Sequence, residues 1–83
     1  MPHHDRVPPA TLARENFTAG GKVFYLELKE NARGRYIQII EDSGNRRDMV
    51  LLPVEGAAEF YRRLGKLLEF EATLAGQTGG SDE

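Results

Sequence analysis

Four side chains fall at alternate positions in two neighbouring stretches: Tyr25 and Lys29 in KVFYLELK, Tyr36 and Gln38 in RYIQIIE. Between them KENARGR crowds Lys29, Asn31, Arg33 and Arg35 into one short connection, and Lys22 opens the first stretch. A turn needs only Asn31 and Gly34, so the cations ask for another explanation. Rings interleaved with basic and amide side chains can hold a single strand of nucleic acid, with bases stacking on the rings and phosphates pairing with the cations. A stacked base contributes ~1–3 kcal/mol. The same residues admit a plainer reading, in which the tyrosines are ordinary strand formers and the charges keep a sheet edge soluble.

Other chemistry finds less support. The acid pairs Glu27 and Glu30, or Glu41 and Asp42, have no spacing that enforces an acid–base geometry, and adjacent surface carboxylates are usually solvated. His3 and His4 stand in a proline-rich N-terminus, where metal binding would need a rigid site. Gly20-Gly21 lacks the Lys-Ser/Thr of a phosphate loop. Arg46-Arg47 reads as a hairpin tip at the edge of the aromatic surface. No catalytic residue, metal ligand, cofactor or small-molecule substrate is expected.

The elements that must position these residues follow from periodicity. In Lys22 to Lys29, Phe24, Leu26 and Leu28 point one way while Val23, Tyr25, Glu27 and Lys29 point the other. Arg35 to Glu41 repeats the alternation, with Ile37 and Ile39 inward and Tyr36, Gln38 and Ile40 outward, so the two strands form an antiparallel hairpin. Asp42-Ser43-Gly44-Asn45 marks a second turn, and Asp48 to Leu52 a further strand that Pro53 ends. TLARENFT, Thr11 to Thr18, is compatible with a strand or a short helix; Gly20-Gly21 just after it favours the strand and a turn. From Val54 to about Thr73, Ala57, Phe60, Tyr61, Leu64, Leu67 and Leu68 recur at three and four, which is the stripe of an amphipathic helix. The order β-β-β-β-α is an α+β fold: a four-stranded antiparallel sheet with one face covered by a helix and the other bare.

Composition is consistent with a single domain. The chain has 83 residues, 40% of them hydrophobic and 29% charged, and no cysteine, which excludes a disulfide scaffold and a thiolate zinc site. No run approaches the roughly 18 apolar residues of a membrane helix, and MPHHDRVPPA lacks the core of a secretory signal, so a cytoplasmic protein without a membrane partner is expected. Residues 1–10 and 75–83 read as disordered tails around a folded unit at 11–74. About 65 ordered residues supply a core of only ~3–5 kcal/mol, which calls for a partner chain. The net charge of −2 hides a partition: Lys22 to Arg47 holds six bases against four acids, and the acids gather from Asp48 onward.

KVFYLELKENARGRYIQIIEDSG, RRDMVLLP and GAAEFYRRLGKLLEF together resemble the PUR repeat of the Pur-alpha proteins, with its K-x-N-x-[KR]-G-R-[FY] hairpin and A-x-E-F-x-x-x-L helix. The likeness covers Phe17 to Ala72. It implies a Whirly-like β-β-β-β-α unit that binds single-stranded DNA or RNA, often purine-rich, and helps to separate strands. Carried over by position, it places nucleic-acid contacts at Lys29, Asn31, Arg33 and Arg35, with Lys22 at the strand opening and the strand-separating aromatic at Tyr36, where phenylalanine is commoner. Longer members pair several repeats with exchanged helices. A single-repeat, bacterial-type chain then implies a helix-exchanged homodimer, joined through Phe60, Leu64, Leu67 and Leu68, with a role in gene regulation. The competing class is a protein-interaction module of the same fold that binds no nucleic acid.

Overall fold

A computed structural model describes residues 9–78. Four strands, β1 (Ala10–Ala19), β2 (Lys22–Asn31), β3 (Gly34–Asp42) and β4 (Arg47–Pro53), precede one helix, α1 (Val54–Thr78). The strands pair in chain order as an antiparallel meander. The stretch compatible with either strand or helix is thus a strand of 10 residues. It is held by pairing along β2 from Ala10 opposite Glu30 to Ala19 opposite Lys22, with an irregularity between Thr11 and Ala13. The helix continues past the expected end near Thr73 to Thr78, so 75–78 belong to it. The expected tails at 1–8 and 79–83, and with them His3 and His4, lie outside the described residues.

Each turn has a chemical cause. Gly20 and Gly21 have φ of 60° and 76°, the two left-handed positions of a type I′ hairpin, which side chains tolerate poorly. In the next hairpin the Asn31 Oδ1 accepts hydrogen bonds from the backbone N–H groups of Arg33 (2.9 Å) and Gly34 (3.2 Å), closing the turn as an asparagine does best. Asp42 does the same for the last turn, its Oδ1 accepting from the Gly44 N–H at 2.9 Å.

The registers sort the side chains into two faces. Phe17, Phe24, Leu26, Leu28, Ile37, Ile39, Val50 and Leu52 share one of them, continuous across all four strands. On it the rings of Phe17 and Phe24 stack at 5.1 Å and 12°. Arg14, Asn16, Tyr25, Glu27, Lys29, Tyr36, Gln38, Met49 and Leu51 share the other.

The helix does not lie over its own sheet, contrary to the expectation of a covered face. It touches only β3 and β4. A Cβ on Gly56 would meet Leu52 at 3.7 Å, so the chain leaves from the apolar side. Beyond its first turns the stripe is open: Leu64 is 44% and Leu67 67% exposed, and no hydrophobic residue among those described is fully buried. The radius of gyration is 17.3 Å, against about 12 Å for a compact chain of this length. Twenty-five helical residues run about 37 Å, more than half of the longest dimension of 63 Å.

Candidate nucleic-acid interface

Two adjacent β-strands carry the centre of the candidate surface. Lys29 lies opposite Tyr36, Glu27 opposite Gln38 and Tyr25 opposite Ile40, so both tyrosines, the lysine and the amide fall on one face as the alternation predicts. This face divides lengthwise. Its β1–β2 half is polar, with Arg14 opposite Glu27 and Asn16 opposite Tyr25. Its β3–β4 half is largely apolar, with Met49 opposite Ile40, Leu51 opposite Gln38 and Pro53 opposite Tyr36. An unpaired base needs a flat apolar or aromatic floor and polar groups within reach of its edges. The split face offers both.

At the hairpin end, Asn31, Arg33, Arg35, Tyr36, Leu51 and Pro53 border an open hollow of about 340 Å³, with Glu55 at its rim. Asn31 spends its side-chain oxygen on the turn, which leaves its amide N–H₂ to reach outward. Arg33 forms no ion pair among the described residues. It stands exposed at the tip, unpaired although Glu55 borders the same hollow.

The other sequence-derived cations are placed differently. Lys22 pairs with Glu41 and Arg35 with Glu30 at 3.2 Å, and strand alternation sends both from the apolar side, near opposite ends of β2. Lys29 is on the aromatic face, yet its side chain is only 15% exposed; its Nζ donates to Thr11 Oγ1 at 2.7 Å and lies 3.7 Å from Glu27 Oε1. Arg46 and Arg47 pair with Asp48 and Asp42 at 3.2 and 3.3 Å. Exposed pairs of this kind are worth ~0–1 kcal/mol, so a phosphate can displace them.

Sequence reasoning missed Arg14 and Asn16, because TLARENFT was not fixed as a strand until its pairing was known. The signal was present: Arg14, Asn16 and Thr18 alternate with Ala13, Glu15 and Phe17. Alternation did set Glu27 beside Tyr25 and Lys29, but read it as a solvated acid; the pairing puts it near the centre of the face, between Arg14 and Gln38. Among the described residues no group of acids or histidines could hold a metal ion, and no helix is long and apolar enough to cross a membrane.

A four-stranded meander with an open aromatic and polar face and one trailing helix defines a class of small sheet proteins suited to single strands. Comparison identifies the family: the model of PurA, described as ssDNA and RNA-binding protein, matches residues 10–83, and the chain belongs to it. It is similar to the "Transcriptional regulator protein Pur-beta" of Danio rerio, 35% identical over 80 residues that make up 87% of this chain and 27% of that one. The Homo sapiens protein of the same description is 38% identical over 64 residues, 76% of this chain and 20% of the relative. "Transcription factor Pur-alpha 1" of Arabidopsis thaliana is 31% identical over 64 residues, 76% of this chain and 22% of the relative. The chain thus spans about a quarter or less of the length of these relatives. The family is one of single-stranded DNA- and RNA-binding proteins.

Proposed function

We propose that this chain binds single-stranded DNA or RNA on the face that carries Tyr25, Lys29, Tyr36 and Gln38, with Arg33 and Asn31 at the hairpin tip contacting the strand backbone. The observation that carries this reading is the family match, taken with two tyrosines, an amide and a cation on one uncovered sheet face. Bases stack on Tyr25 and Tyr36, and phosphates follow the margin marked by Arg33. Lys22 and Arg35 act from the rim, once a strand has displaced Glu41 and Glu30. Purine-rich strands are favoured because the larger rings stack more area. Tyr36, beside the open hollow, is placed to wedge into a fraying duplex and help separate it. The relatives are named as transcriptional regulators, which supports a gene-regulatory role.

The active species in this reading is a homodimer. Support comes from the bare apolar face and the bare helix stripe of Phe60, Leu64, Leu67 and Leu68, which one chain leaves unsatisfied. A hollow of about 160 Å³ beside Ala13, Leu26, Leu28 and Ile37 offers a seat for a partner's side chain. Exchange of helices would cover both surfaces at once.

Retention on an unpaired purine-rich oligonucleotide, followed as salt is raised, tests the function. Binding should weaken linearly in log[salt] as released counterions are recovered. Absence of binding at low salt by folded protein would instead support a protein-interaction module, which the net charge of −2 also favours.

A further inference from the structure

Glu27 is the most enclosed of the described residues, 8% exposed, and it is an acid near the centre of a face read here as the seat of a polyanion. A carboxylate withdrawn from water needs partners. Arg14 Nε donates to its Oε2 at 2.8 Å, Gln38 Nε2 donates to its Oε1 at 3.4 Å, and Lys29 Nζ lies 3.7 Å from the same Oε1. Three strands therefore converge on one side chain. The other acids of β1, β2 and β3 are placed otherwise: Glu15, Glu30 and Glu41 belong to the opposite side, and Asp42, on this face, lies at the far end of β3 and is more exposed.

This arrangement has an electrostatic consequence. Arg14 and Lys29 would present two positive charges to the centre of the face, and Glu27 cancels one of them while claiming both as partners. A phosphate brought over that centre meets one net positive charge instead of two, and the carboxylate fixed between the cations repels it at close range. A base brought to the same place is uncharged, and Tyr25 two residues along β2 offers it a ring. Cations clear of Glu27 lie at the margin, Arg33 foremost.

We propose that Glu27 is a specificity-determining residue that turns the polymer over on this face, admitting bases to the centre and confining phosphates to the rim. A duplex, whose bases are stacked within it, can offer the face only phosphates and is disfavoured. A single strand loses little. Arg14 joins the surface as the partner that holds Glu27 in place and supplies a cation from β1. The inference rests on the single-strand reading of the same face.

The test compares the full chain, Glu27→Gln and Glu69→Gln for binding to an unpaired purine-rich oligonucleotide and to the duplex of the same sequence. Glutamine keeps the shape of Glu27 and accepts from Arg14; Glu27→Met, of like length and with no polar group to satisfy, repeats the comparison should the amide impair folding. With circular dichroism confirming the fold, Glu27→Gln should bind duplex at least ~3-fold tighter at 50 mM salt, and its duplex salt dependence should steepen by about 0.9, the value of one more neutralised phosphate. Its affinity for the single strand should change less, so the preference for unpaired strands falls. Glu69→Gln, which removes one carboxylate from the exposed helix and touches neither face of the sheet, should leave that preference where it was. An unchanged preference in Glu27→Gln and Glu27→Met, with wild type still binding single strands, overturns this inference alone. Wild type that binds no single strand overturns the reading beneath it as well.

Discussion

The two faces of the sheet are finished to different degrees. The polar half of the aromatic face closes on itself, with Arg14, Lys29 and Gln38 engaging Glu27 and Thr11 engaging Lys29, while Met49 and Leu51 in its other half stay exposed. The apolar face has eight large side chains in register and no layer above them, and the helix that could cover it runs off with Leu64 and Leu67 open to solvent. Polar pairs are local and can be completed by adjacent strands. Apolar burial needs a second layer, and a single sheet with one outward helix cannot supply it. This unfinished apolar side is the ground on which the homodimer is proposed.

Breaking the unfinished side should have the largest effect. Leu64→Glu puts a carboxylate into the stripe that a partner is proposed to bury, where it has no compensation. Dimer and fold should be lost together, a cost of several kcal/mol read as a collapsed thermal transition and a monomeric or unfolded species by sedimentation. A wild type that sediments as a folded monomer at micromolar concentration contradicts the proposed dimer.

How much of this contrast was legible in the sequence depends on the residue. Alternation in KVFYLELK and RYIQIIE sorted Tyr25, Lys29, Tyr36 and Gln38 to one side because strand geometry admits only two directions. The helix stripe was equally plain. What periodicity could not say is which sheet the stripe would meet, since a stripe fits a neighbour's sheet as well as its own. Pairing partners are non-local too, and so Glu27 read as one more solvated acid until β1 and β3 brought Arg14 and Gln38 to it. Lys22 and Arg35 were grouped with the aromatic surface as its flanking cations, and again by likeness to a family motif, although their parity in the strands sends them to the other side.

Charge removal at the β2–β3 hairpin end of the sheet comes next in size. Lys29→Ala, Arg33→Ala and Arg35→Ala combined should leave the chain folded and dimeric while lowering single-strand affinity at low salt. The salt dependence should flatten by up to about 2, at ~0.7 for each phosphate that is no longer neutralised. Wild-type affinity in the triple variant at low salt would separate the cations from binding altogether.

Tyr36→Ala should cost ~1–3 kcal/mol of affinity, and Tyr36→Phe almost nothing, because stacking uses the ring face. If Tyr36 only supports the sheet, alanine lowers the melting temperature and leaves the affinity of the folded fraction unchanged. Titration with a short purine-rich strand, with circular dichroism as the folding control, decides between these outcomes.

Lys22→Ala should have the smallest effect. Its ammonium group is held by Glu41 on the apolar side, and removal of one exposed ion pair changes stability by ~0–1 kcal/mol. A drop in affinity as large as that of Tyr36→Ala would show that the strand wraps from one face to the other around the sheet edge, and the contrast between faces would need redrawing.

The most direct measurement maps a bound strand onto the sheet residue by residue. Isotope-labelled protein titrated with an unpaired purine-rich oligonucleotide should show its largest amide and side-chain shifts at Tyr25, Lys29, Arg33, Tyr36 and Gln38, with Phe24, Leu26, Ile37 and Ile39 little moved. Shifts gathered instead on the apolar face and on the helix stripe of Leu64, Leu67 and Leu68 would contradict the assignment of nucleic acid to the aromatic face.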